Sequence, residues 1–176
     1  MRRWSLLSIF ILTAIAAGTI LLSAARSRAQ LERGEGRLAE YDLTKGYRHW
    51  YHVRSMAVYD KTSPLFDDFA GMHDVYVNEP GYKPLRTGGK FPDGTVFVFD
   101  LFDLDSQQGS YAPGNRKALA VMAKDSKNHA DTGGWAFYLF DQGNPSKQVV
   151  KDAKTECFSC HEQQHSTDSI FSKWIP

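Results

Sequence analysis

Thr95-Val96-Phe97-Val98-Phe99-Asp100-Leu101-Phe102-Asp103-Leu104 decides the fold class. The run is β-branched and aromatic with a period of two. It places Phe97, Phe99 and Leu101 on one face and Val96, Val98 and Phe102 on the other. Pro92-Asp93-Gly94 turns the chain into it, and the polar, glycine-bearing stretch 106–115 reads as a hairpin loop beyond it. Asp100, Asp103 and Asp105 read as solvent-facing acids near its end. Working outward, Tyr51 to Tyr59 is a first strand with Val53, Ser55, Ala57 and Tyr59 on one face. Met72 to Asn78 alternates Met72, Asp74 and Tyr76 against His73, Val75 and Val77. Ala118 to Lys124 and Trp135 to Asp141 make two more strands across the Gly133-Gly134 turn. Residues 82–88 read as a helical turn closed by Gly88 and Gly89. Lys147 to Thr155 and Glu162 to Trp174 have helix-forming composition. Strands followed by helices predict an α+β domain: a single antiparallel sheet of about five strands with short helices, the last at the C-terminal end.

The N-terminus is of a different kind. Arg2 and Arg3 precede an uncharged apolar run, Leu6 to Leu22, and Ser27-Arg28-Ala29 suits a signal peptidase. Residues 1–29 therefore read as a signal peptide, with an uncleaved membrane anchor as the rival reading. Residues 30–43 are polar and contain glycine, a flexible leader to a domain at 44–176. The 21 basic and 20 acidic residues include four arginines before residue 30, so the mature chain carries a charge of −3. A mildly acidic domain has no electrostatic reason to bind nucleic acid.

Cys157-Phe158-Ser159-Cys160-His161 carries the chemistry. Two thiols three positions apart on a helical turn reach the two vinyl-derived carbons on one edge of a porphyrin. The next residue brings an imidazole beneath the iron, which makes CxxCH the attachment pattern of haem c. These are the chain's two cysteines, and an exported chain reaches the compartment where haem c is assembled. Competing readings are weaker. A thioredoxin-like dithiol wants a preceding strand in a parallel sheet, and a zinc site wants two further ligands, of which His165 offers one. The expected cofactor is one covalent haem c on Cys157 and Cys160 with His161 on the iron. Residues 162–176 hold no methionine to serve as a sixth ligand.

A C-terminal CxxCH on a sheet is one part of an ordered set. The set comprises Gly46-Tyr47-Arg48-His49-Trp50, Val75-Tyr76-Val77-Asn78, Lys90-Phe91-Pro92-Asp93-Gly94-Thr95-Val96, Gly134-Trp135-Ala136-Phe137-Tyr138, the CxxCH motif, and Thr167-Asp168 leading to Phe171-Ser172-Lys173-Trp174. In these the chain resembles the cytochrome P-460 family, which includes cytochrome c′-beta. The resemblance implies a homodimer with an antiparallel sheet, a five-coordinate or weakly six-coordinate haem, and either hydroxylamine oxidation or binding of small gases such as nitric oxide.

The lysine that crosslinks to porphyrin in hydroxylamine-oxidising members falls here on Arg86 or Thr87. Arginine is too weakly nucleophilic for that bond, although Lys83 and Lys90 flank the position. Phe99 and Phe69 are the expected apolar cap over the iron, and Lys173 stands where relatives place a cation near the ligating histidine. His49, His52, His73, His129 and His165 read as surface or strand residues, and Met56, Met72 and Met122 as core. The expected function is a periplasmic monohaem cytochrome binding nitric oxide or carbon monoxide. The alternatives are hydroxylamine oxidation with electrons passed to a partner cytochrome, and plain electron transfer.

Overall fold

The strand read at Thr95–Leu104 is the centre of an antiparallel sheet in the computed structural model, which describes residues 46–175. The signal segment 1–29 and the leader 30–43 lie outside the described residues. After a 3₁₀ turn, Tyr47–His49, the chain forms β1 (Tyr51–Val58), a short α1 (Phe66–Phe69), β2 (Gly71–Val77) and α2 (Glu79–Thr87). It continues as β3 (Val96–Gln107), β4 (Ser110–Lys124) and β5 (Trp135–Asp141). The five strands pair in sequence order. This α+β arrangement is the one expected from the alternation.

Register divides the sheet into two faces. Val75, Phe99, Ala120 and Leu139 stand abreast, as do Val77, Phe97, Met122 and Phe137. On the reverse, Tyr76, Val98, Val121 and Tyr138 stand abreast. A core of Val53, Val75, Val77, Phe91, Phe97, Trp135, Phe137 and Ile170 lies on the first face. Tyr82 and Leu85 of α2 pack against it. The Cβ of Gly81 would approach Val77 Cγ2 at 2.5 Å and Thr95 Cγ2 at 2.6 Å, so its lack of a side chain lets α2 lie directly on the sheet.

Four expectations need correction. Val53 is the extra residue of a β-bulge between His52 and Arg54, which reverses the alternation after it. Val53 and Val58 are buried, Ser55 is exposed, and Tyr59 lies beyond the strand. The stretch 106–115 is no loop. β3 and β4 run through it as a long ribbon whose turn is Gln108 (φ 51°) and Gly109 (φ 80°). Positive φ at both central residues matches the right-handed twist of the strands, so a two-residue turn suffices where composition suggested ten. Residues 147–152 are not helical: Gln148 bridges to Phe140, and Val149 N–H donates to the Leu139 carbonyl at 2.8 Å. Finally, the helix beyond the cysteines ends as a 3₁₀ turn at Thr167. Asp168 (φ 52°) and Ser169 (φ 70°) then turn left-handed, and the chain to residue 175 has no regular structure.

Candidate haem site

Residues Lys154–Phe158 are wound as a single π-helical turn that continues as α-helix over Ser159–His161; together they form α3. A π turn inside a helix places side chains off the ordinary 3.6-residue rows and recurs at functional sites. The N-terminus of α3 is organised by acids. Asp152 accepts from Lys154 N–H and Thr155 Oγ1, and Glu156 accepts from Lys151 and Asp152 N–H. Helix α3 is seated against β5: the Phe158 ring lies 6.4 Å from that of Phe137, and a Cβ on Gly133 would meet Phe158 at 3.0 Å. The two cysteines form no disulfide. Cys157 is half-buried against the core, where burial pushes its thiol pKa up, and Cys160 is exposed.

His161 ends α3 with its ring between Phe137 and Phe171, each 5.1 Å away edge-on. Nδ1 donates to the Ser169 carbonyl at 2.8 Å. That bond fixes the tautomer and leaves Nε2 as the ring atom able to bond a metal. Burial lowers the imidazole pKa, opposed by the Ser169 bond, so the ring favours the neutral form a metal needs. The Ser169 carbonyl is aimed by the left-handed pair Asp168-Ser169. Asp168 carboxylate oxygens accept from Lys124 Nζ at 2.9 Å and from Phe91 N–H at 2.9 Å, and its carbonyl accepts from Trp135 Nε1 at 2.9 Å. Lys124 Nζ also lies 4.7 Å from the Trp135 ring centroid. This bracing of the histidine was not read from the sequence; the signal for it is Thr167-Asp168 following the motif at helical-turn spacing.

The sheet beside His161 carries Phe97, Phe99, Met122, Phe137 and Leu139, with Ala118 and Ala120 between them. Phe99, Ala118, Ala120, Met122 and Leu139 are only half-buried, while Leu119 and Val121 on the reverse are 0% and 1% exposed. With the small alanines among them, these half-buried residues form an apolar strip along the strands. Phe69 and Phe99 meet edge to face with centroids 5.7 Å apart, so the two rings expected to act together are in contact. The His73 ring lies 4.2 Å from Phe99. His73 is 3% exposed, and burial is the main cause that brings its pKa down to about 4. Reading it as an ordinary strand or surface imidazole missed that burial.

Other expected residues fall elsewhere. Lys173 is exposed in the irregular tail, and the group bonded to His161 is the Ser169 carbonyl. Arg86 lies over Tyr82 and Trp174, 5.3 and 5.7 Å from their centroids, while Lys83 and Lys90 are exposed. Asp100 is the largest correction: it is 0% exposed. It takes Arg116 Nε at 2.7 Å, Arg48 at 2.6 Å and the Tyr47 hydroxyl. Burial, then the Asp100 bond, raises the Tyr47 pKa to about 12. This cluster sits on the face opposite Phe99, since successive strand residues point to opposite sides.

Residues 44–172 match the family model described as Cytochrome P460. The chain belongs to the cytochrome P460 family. It is a haem-binding cytochrome. None of the curated proteins compared with it matches. The donor set fits this cofactor. Among the described residues no three of the His, Cys, Asp and Glu side chains gather into a metal-binding cluster. Two cysteines and one oriented imidazole stand on a single helix beside an apolar strip of the sheet. Cys157 and Cys160 would hold a haem there, and His161 Nε2 would be the side-chain atom able to bond its iron.

Proposed function

We propose that this cytochrome P460 protein is a periplasmic monohaem cytochrome c that binds small neutral gases, nitric oxide and carbon monoxide. Cys157 and Cys160 hold the haem by thioether bonds, His161 Nε2 ligates the iron, and Phe69 and Phe99 cap the opposite side. When bound, the haem supplies an iron with one exchangeable position.

The observation that carries the reading is the apolar cap. Around Phe99 the same face presents Val75, Phe97, Leu101, Ala120 and Met122, with no carboxylate among these neighbours. His73, 4.2 Å from Phe99, is the imidazole beside them, and burial brings its pKa down to about 4, which makes it a weak base. Asp100 lies on the other face, already taken by Arg48 and Arg116. Hydroxylamine oxidation needs a base to accept protons at the iron ligand, whereas a neutral diatomic costs little to place among aromatic rings. Arg86, packed on Tyr82 and Trp174, or Thr87 after it stands where a crosslinking lysine would be expected. The residues therefore have distinct duties: His161 is positioned by Ser169, and the rings exclude water.

Export through residues 1–29 and assembly as a homodimer complete the proposal, supported by the basic-apolar leader and the family. The test combines mass measurement of the haem peptide with a hydroxylamine assay using an added electron acceptor. Haem mass on the peptide spanning Cys157–His161 alone, with negligible turnover, is expected. A porphyrin bond to Lys83 or Lys90 with brisk turnover would make it an enzyme instead.

A further inference from the structure

Two nitrogens on the Phe99 face lack partners: Arg54 Nε and His73 Nδ1 are both buried without a hydrogen bond. Buried polar atoms are satisfied as a rule, and an orphan calls for an unaccounted partner. The two belong to one corner. Arg54 is registered with Val75 and Met56 with His73, so both side chains share the Phe99 face. The Arg54 charge is also among the causes that lower the His73 pKa.

No acid supplies the missing partner. Among the described residues Arg54 has no salt bridge, and its Nη2 makes a weak contact, 3.9 Å from Met56 Sδ. Asp74 points to the opposite face, where Ser55 Oγ donates to it at 2.6 Å. A half-buried guanidinium with a neutral imidazole donor beside it forms a binding corner for a carboxylate.

We propose that Arg54, with His73 beside it, binds a propionate carboxylate of the haem. The proposal rests on the haem lying on the apolar strip. The carboxylates of a haem lie on the macrocycle edge opposite the carbons that join cysteines. Cys157 and Cys160 ride on α3 beside β5, and β1 and β2, which carry Arg54 and His73, lie at the other side of the sheet. The cysteine-bearing edge thus faces one side and the acidic edge the other. Arg54 neutralises the carboxylate, and His73, neutral in this setting, adds a hydrogen bond without adding charge.

The experiment uses the holoprotein and its Arg54→Gln, Arg54→Lys and His73→Phe variants, each first checked by mass for covalent haem. Absence of haem from the wild type would overturn the haem reading itself and is thereby separate from the result sought here. Redox titration and redox-difference infrared spectra in the carboxylate region are then recorded. Arg54→Gln is expected to lower the midpoint potential and shift a propionate band, because an uncompensated anion beside the macrocycle favours ferric iron. Arg54→Lys is expected to restore most of the potential, and His73→Phe to shift the band less. Where Arg54→Gln fails to fold, the band shift between wild type and Arg54→Lys, which exchanges a two-pronged donor for a single one, decides. Unchanged potential and bands would overturn the proposal. So would an effect confined to carbon monoxide dissociation, which would place the cation at the iron ligand. A His73→Phe spectrum changing from six- to five-coordinate would make His73 an iron ligand and equally overturn it.

Discussion

His161 owes its orientation to a carboxylate it never touches. Asp168 ties Lys124, Phe91 and, through its carbonyl, Trp135 to the turn whose next carbonyl holds Nδ1. Lys124 is 5% exposed in its side chain, so Asp168→Ala leaves a buried ammonium unpaired. We expect a loss of about 3–5 kcal/mol in denaturant unfolding of the holoprotein, accompanied by an altered ferrous spectrum as the imidazole loosens. Lys124→Met with Asp168→Ala should recover much of the stability and none of the spectrum. His73 gives a pH prediction. Its ordinary pKa of 6.5 falls to about 4 in the fold, so below pH 6.5 the unfolded chain takes up a proton the native protein refuses. Its contribution is therefore present above pH 6.5, drains away as pH falls toward 4, and amounts to about 3 kcal/mol at most. Thermal unfolding across that range should show the decline, and His73→Phe should flatten it. Residue by residue, the motif's spacing put Cys157, Cys160 and His161 on one helical stretch, where the fold has them. The strand pattern put Phe99 on the face of Phe97 and Leu101. Asp100 was misread because an acid near a strand end ordinarily faces water. Its buried partners Tyr47 and Arg116 are 53 and 16 residues away in sequence, which alternation does not reveal.

At the scale of elements, α2 is the piece that closes the core over Tyr82 and Leu85 and holds Arg86 against Trp174. Gly81→Ala would drive a methyl into Val77 and Thr95. We expect it to cost about 1–3 kcal/mol, read as a lower denaturant midpoint, with α2 exchanging its amide hydrogens faster than the strands. The strands themselves were legible because alternation reports which face is buried. The ribbon at 106–115 was not, because its exposed edges need no apolar alternation and its turn depends on backbone angles at Gln108 and Gly109. Residues 147–152 misled for another reason. Lysine and valine there suit several conformations, and tertiary bonding to β5 at Leu139 and Phe140 chose an extended one. The bulge at Val53 shifted every later residue of β1 by one position and so turns Arg54 onto the Phe99 face.

For the molecule as a whole, the sheet separates two chemistries. One face buries Asp100 in a web of Arg48, Arg116 and Tyr47. The other pairs an oriented histidine with an apolar strip. On the proposed reading a haem lying on that face would add a large part to so small a core, so His161→Ala should lower the melting temperature of the haem-loaded protein as well as change its spectrum. The measurement that bears most directly on the central claim is the optical spectrum of the purified ferrous protein before and after carbon monoxide. A single broad visible band that converts completely on adding the gas is the result expected of a haem held by His161 under a cap of Phe69 and Phe99. Sharp split bands indifferent to carbon monoxide would contradict it by revealing a sixth protein ligand.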